Sequence, residues 1–194
     1  MECQVCMREE SYIHFGEERL CLACYNLKMT DLLGVEADPY PEAMIVQNVL
    51  GESHHFRLRK RLDPIGIILE AEEQVAGGYR FQMIGDLYSD QQELLVELMS
   101  KAERGMAEEF IQEDCYPNGE SYRSLRNGRL VGRMEPNLIN RSEPIVAING
   151  RNYSWSELGE LLMHYEGFQV KLELLDPFEN VEWQNEQPKK ERGQ

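Results

Sequence analysis

Apolar positions change period several times along the chain, and each change marks an element. His54 to Leu62 alternates with period two. His55, Arg57, Arg59 and Arg61 share one side, Phe56, Leu58 and Leu62 share the other, and Lys60 is the lone misfit. Period two predicts a half-buried strand. Before it, Ala43 to Leu50 is β-prone through Met44, Ile45, Val46 and Val49, and Gly51 ends the run. After it, Ile65 to Glu73 and Tyr79 to Ile84 flank Ala76-Gly77-Gly78, a hairpin signal. These four runs predict an antiparallel sheet.

The period then lengthens. Asp90 can cap a helix, with Glu93 completing a capping box. Leu94, Leu95, Leu98, Met99, Ala102, Met106, Phe110 and Ile111 follow mostly at spacings of three and four. They predict one helix over Asp90–Asp114 that buries a face against the sheet, with Cys115 to Gly119 ending it. Gly105 inside that helix costs about 1 kcal/mol relative to Ala, which close packing or a local bend would explain.

Residues 119–144 hold no sustained period. Arg123, Arg126, Arg129 and Arg133 recur there, Asn127-Gly128 and Gly132 break it, and Leu130-Val131 is a brief strand at most. A long connection of this kind is a place to look for a binding surface.

Order returns at Ile145 to Ile148, a strand followed by the two-residue turn Asn149-Gly150. Ser154 and Glu157 form a capping box for a helix with Leu158, Leu161, Leu162 and Tyr165 on its apolar face, and Gly167 ends it. Phe168, Val170, Leu172 and Leu174 then alternate with Gln169, Lys171 and Glu173, predicting a half-exposed final strand. From Pro177 the chain is polar and expected to fray.

The first 36 residues add chemistry to pattern. Cys3-x2-Cys6 is followed, after fourteen residues, by Cys21-x2-Cys24. Two such pairs supply four thiolates, the tetrahedral set Zn²⁺ prefers. Tyr12, Ile13 and Phe15, a turn at Gly16-Glu17, and Arg19-Leu20 predict a hairpin that returns Cys21 to the first pair. Leu27, Met29, Leu32 and Leu33 suit the buried face of a short helix that stops at Gly34. The second pair would open that helix, where backbone N–H groups favour thiolate charge. Two disulfides, or four ordinary buried thiols, are the alternatives, and iron is the chemical competitor for the same ligands.

A C-x2-C turn, a hairpin and a second C-x2-C opening a helix resembles the treble-clef class of four-cysteine zinc sites. The resemblance covers about the first 34 residues and implies structural zinc on Cys3, Cys6, Cys21 and Cys24, without implying a function. The stretch Asn149-Gly-Arg-x-Tyr153-Ser-Trp-Ser-Glu157-Leu-Gly159, with Tyr165-Glu-Gly-Phe168, resembles uncharacterised bacterial proteins that carry an N-terminal cysteine module.

The predicted class is α+β: a small four-cysteine zinc module (hairpin plus helix, residues 1–36), then an antiparallel sheet with packed helices (43–176). Within the latter, 145–176 is a hairpin–helix–strand unit, and 177–194 is a polar tail. Ala37 to Glu42, with two prolines, is the linker.

Charge narrows the function. The formal net charge is −15, and residues 1–40 hold three bases against eight acids. Phosphate contacts supply most nucleic-acid affinity, so nucleic acid is a disfavoured partner. The start Met1-Glu2-Cys3-Gln4 has no secretory pattern and no run reaches 18 apolar residues, so a cytoplasmic location without membrane insertion is expected. Such a compartment keeps thiols reduced. Cys115 is expected to be a small buried hydrophobe.

Common catalytic signatures such as G-x-x-x-x-G-K-[ST] and H-E-x-x-H do not occur. Glu160 and His164 can share a helix face, with a surface or structural histidine the expected outcome. The favoured function is therefore a non-enzymatic module that binds another protein. One alternative is a nucleic-acid-associated regulator using Arg57, Arg59 and Arg61. The other is an enzyme with a site near residues 119–144. Anion or partner contacts would fall to Arg57, Arg59, Arg61, Arg123 and Arg126, unless the sheet face simply balances nearby acids.

Overall fold

The computed structural model describes residues 1–183 and is α+β, with antiparallel sheets and three helices. Residues 184–194 of the expected tail lie outside the described residues. The N-terminal hairpin pairs β1 (Ile13–Phe15) with β2 (Glu18–Leu20), and Gly16 supplies the left-handed turn conformation at φ 59°. Helix α1 (Leu22–Leu33) follows and ends at left-handed Gly34, whose N–H bonds the Thr30 carbonyl.

A four-stranded meander comes next: β3 (Ala43–Gln47), β4 (Ser53–Asp63), β5 (Gly66–Glu73) and β6 (Arg80–Gly85), each antiparallel to its neighbour. Helix α2 (Gln91–Gly105) covers it, resting on β5 and β6. The Asp90 side chain caps α2 by accepting from the backbone N–H groups of Gln92 and Glu93.

Helix α2 is shorter than the pattern predicted. It stops at Gly105, and Phe110 and Ile111 lie beyond it. A Cβ at Gly105 would stand 2.3 Å from Cε1 of Phe81 on β6. The glycine therefore lets the last turn lie directly on an aromatic ring, and close packing is the reason for it. The segment expected to finish the helix instead forms β7 (Ile111–Cys115), which pairs with β8 (Ser121–Leu125). Tyr116 to Glu120 is a hairpin turn, and Cys115 is exposed rather than buried.

A three-stranded sheet has the order β11-β10-β9, built from β9 (Arg133–Glu135), β10 (Ile145–Ile148) and β11 (Arg151–Ser154). Leu130 and Val131 are not a strand but pack against the apolar cluster there. Helix α3 (Trp155–Leu162) opens with the predicted reciprocal Ser154–Glu157 capping box and buries Leu158 and Leu161. The final strand does not form. Phe168, Val170, Leu172 and Leu174 are irregular in structure and 73–79% exposed. The chain beyond them is held at points: the Lys101 ammonium donates to the Pro177 and Phe178 carbonyls, and Arg129 stacks 4.6 Å over Trp183.

Two apolar clusters result. The larger runs unbroken from Cys3, Leu20, Cys21, Tyr25 and Met29 through Phe56, Leu62 and Ile67 to Leu94 and Leu98. The smaller holds Phe110, Val146, Ile148, Tyr153, Leu158 and Leu161. Asn149, in the left-handed turn position at φ 46°, joins the halves. Its side chain accepts from the Phe110 N–H at 2.8 Å and donates to the Glu108 carbonyl at 2.9 Å and to the hydroxyl of Tyr79, beside the large cluster, at 3.4 Å.

Candidate metal centre

The hairpin and α1 bring Cys3, Cys6, Cys21 and Cys24 together, with their sulfurs all within 4.8 Å of one another and none in a disulfide. Cys6 Sγ and Cys21 Sγ are 3.8 Å apart. Metal–sulfur bonds of ~2.3 Å in a tetrahedron place the sulfurs about 3.8 Å from one another, so the donor set fits a four-coordinate ion. The four cysteines cluster at metal-binding distance and could hold one ion.

Local backbone explains the convergence. After Cys6 the chain turns back at Met7, which takes φ 51°, and the Met7 N–H bonds the Cys3 carbonyl. Cys21 is the N-cap of α1 and its sulfur accepts from the Cys24 N–H at 3.4 Å. The second pair therefore occupies a helix N-terminus, as the spacing implied. Burial pushes the Cys3 thiol up, but backbone N–H groups of Cys6, Cys21 and Val5 outweigh it and bring Cys3 down to about 6. Burial raises Cys21, and burial together with neighbouring sulfurs pushes Cys24 up to about 12. Cys21 and Cys24 thus resist ionisation unless a cation shares their charge.

The buried face of α1 differs from the one its leucines suggested. Tyr25, Asn26 and Met29 point inward, whereas Leu27 and Leu32 are exposed. The reason lies in the neighbouring sheet. Strand β3 pairs only with residues 53–57 of β4, so the rest of β4 needs other partners on that edge. Asn26 supplies them: its amide donates to the Lys60 carbonyl at 2.6 Å and accepts from the Leu62 N–H at 3.0 Å. The Tyr40 hydroxyl accepts from the Lys60 N–H at 3.2 Å.

Lys60, the misfit in the alternation, is on the buried side of β4 and only 2% exposed. Its ammonium bonds the Asp38 carbonyl and Gln91 Oε1, and lies 5.0 Å from the Tyr40 ring centre. Gln91 also donates to the Glu36 carbonyl and accepts from the Asp38 N–H. This polar set binds the linker to the sheet and to α2. Lys60's break in the alternation was its only trace in the sequence; Asn26 and Gln91 left none.

The five arginines do not form one patch. Arg57 and Arg59 lie opposite Glu72 and Glu70 on β5. Arg59 pairs with both acids and stacks 5.2 Å over Tyr12 of the cysteine module. Burial raises the Glu72 carboxyl, but Arg59 and Arg80 outweigh that and hold it below the usual range. Arg57 is exposed, and Arg61 is 3.6 Å from Asp63. Arg123 and Arg126 belong to the second half, where Arg123 bonds Glu113 at 2.7 Å and Arg126 is 3.9 Å from Glu109. A groove of about 350 Å³ beside Arg123 is lined by Tyr122, Glu157, Glu160 and His164, so the anticipated Glu160/His164 pair does share a face.

Residues 2–36 match a domain of unknown function (DUF7685), residues 38–107 match a second (DUF7686), and residues 110–179 match a third (DUF7713). Their limits fall in the proline linker and just past the end of α2, near the divisions seen in the structure. No curated protein and no solved structure matches the chain.

Proposed function

We propose that the four cysteines hold a structural Zn²⁺ in a treble-clef-type module and that the chain is a non-enzymatic protein-interaction module working in a reducing cytoplasm. The observation that carries this reading is the closed four-sulfur set joined to the main core. Four protein ligands leave no coordination position for a reacting water. Cys3 and Cys21 share their apolar cluster with the central sheet, so the ion would hold a surface in shape. Large apolar side chains exposed on the module itself include Leu27 and Leu32 of α1. Among the described residues, no helix is long and apolar enough to cross a membrane.

The acidic chain and the carboxylate partners of Arg59 favour a protein over nucleic acid as the partner. The groove beside Arg123 and His164 supports the enzyme reading as runner-up, and turnover lost in His164→Ala would favour it. The main test has two parts. Elemental analysis of the purified chain should give about one zinc per chain, lost in Cys21→Ser. Proximity labelling in cells should give protein neighbours that disappear in Leu27→Glu/Leu32→Glu. A metal-free chain, or neighbours dominated by nucleic acid, overturns the reading.

A further inference from the structure

The strand-like run at Phe168 to Leu175 is the one strongly patterned segment that the fold does not use. Its alternation specifies a strand with an apolar and a polar side. Among the described residues no strand pairs with it, and Phe168, Val170, Leu172 and Leu174 all face solvent. Backbone N–H and C=O groups in an extended segment are ready to pair with a second chain.

The segment's own sequence selects the partner. In an antiparallel pair of two identical copies, only registers that place even-numbered residues opposite even-numbered ones keep the apolar side continuous. Placing Leu172 opposite Leu172 puts Val170 opposite Leu174 and Lys171 opposite Glu173, twice over by symmetry. Shifting the register one way sets Lys171 against Lys171; shifting it the other way sets Glu173 against Glu173. Opposite charges across a strand pair are favourable and like charges unfavourable, so the Leu172-centred register is preferred. Lys171 and Glu173 already lie on one side of the segment, with Nζ and Oε2 3.4 Å apart within one chain. Leu175, opposite Gln169, is the one apolar residue this register leaves on the polar side.

We infer that residues 169–175 are a self-complementary docking strand, and that its occupant is the same segment of a second copy of this chain, paired antiparallel about Leu172. The inference rests on the protein-interaction reading and names its partner; it is independent of the metal. A two-stranded ribbon alone is marginal in water, so the dimer is weak and concentration-dependent unless its apolar side is covered. Leu162 and Met163, exposed at the end of α3, are on the same subunits and apolar.

The experiment is sedimentation velocity on the full chain over a wide concentration range, with amide hydrogen exchange measured at both ends of it. The expected result is a monomer–dimer equilibrium in which amides 169–175 become protected as concentration rises. Lys171→Glu sets Glu against Glu173 and should weaken the dimer several-fold, whereas Lys171→Glu/Glu173→Lys restores it. Both side chains are exposed in the monomer, so neither variant threatens folding. A chain that stays monomeric to its solubility limit overturns the inference. So does a dimer indifferent to the charge exchange, or concentration-independent protection that shows an intramolecular cover. None of these outcomes bears on the zinc analysis or on the neighbours lost with Leu27 and Leu32, so the broader reading stands or falls separately.

Discussion

In the first half of the chain, Cys3 and Cys21 lie in the same apolar cluster as Phe56 and Leu98. In the second half, Phe168 to Leu174 lie in no apolar cluster among the described residues. The first half fills its interior so completely that a lysine and an asparagine have been drawn into it, each supplied with hydrogen-bond partners. The second has a small core beneath α3 and leaves its most regular apolar run in solvent. Burial on α1 therefore follows the hydrogen-bonding needs of β4 rather than the local hydrophobic pattern. Leu27 and Leu32 stay outside while Asn26 goes in, because the open edge of β4 requires a donor and an acceptor.

The largest way to break that contrast is to remove the proposed zinc. Structural zinc in small modules is worth on the order of 10 kcal/mol, comparable with the whole stability of a domain. Cys21→Ser, or a strong chelator, should unfold α1 and loosen β4. Hydrogen exchange should show amides 58–62 losing protection while those of β10 and β11 keep theirs. Equal loss in both halves would show that the two clusters are one cooperative unit.

Next come matched truncations. Leu98→Ala in the large cluster and Leu161→Ala in the small one should each destabilise by about 2–5 kcal/mol. Their effects should add, as for sites without shared partners. A double mutant in chemical denaturation that departs from additivity by more than about 0.5 kcal/mol would join the halves energetically.

Gly105→Ala sharpens the contrast at the sheet–helix contact. Helix propensity alone favours Ala by about 1 kcal/mol. Contact with Phe81 reverses the sign, and a net loss of about 1–3 kcal/mol is expected from overpacking, read as a lowered melting temperature. Phe81→Leu in the same background should recover part of it.

The smallest effect concerns Lys60. Burial lowers its pKa from the ordinary 10.5, against a smaller opposing pull from Asp38. Between the lowered value and 10.5 the unfolded chain binds more protons than the folded one, so stability rises with pH through that window. Below the lowered value the destabilisation is fully present. Denaturation curves of Lys60→Met should lack the rise, crossing or converging with wild type toward alkaline pH.

Features encoded by neighbours in the chain were readable in advance. The paired cysteines, the Gly34 stop, the Asp90 cap, the Gly77-Gly78 hairpin and the Ser154–Glu157 box each depend on a few adjacent residues. Features set by distant contacts were not. Phe110 and Ile111 continue the helical period of α2, but Phe81 and the Asn149 amide direct the chain elsewhere. Residues 119–144 looked structureless because β8 and β9 are short: β9 pairs with the later β10, and β8 closes a hairpin with β7, whose residues continue the helical period of α2. The clustering of the four cysteines was legible by spacing; the side chains that fasten the cysteine module to the sheet were legible only as Lys60's exception.

Asn26 has one more consequence. By occupying the edge of β4 with a side-chain amide, it covers a row of backbone groups that would otherwise be a template for other strands. On the proposed zinc reading, the module that carries this amide is held in shape by an ion on its four sulfurs. Loss of the ion would therefore uncover a long strand edge in the middle of the sheet, beside Leu58 and Leu62. Aggregation seeded at β4 is the expected fate of the apo chain, read as light scattering that rises after chelation and not before it.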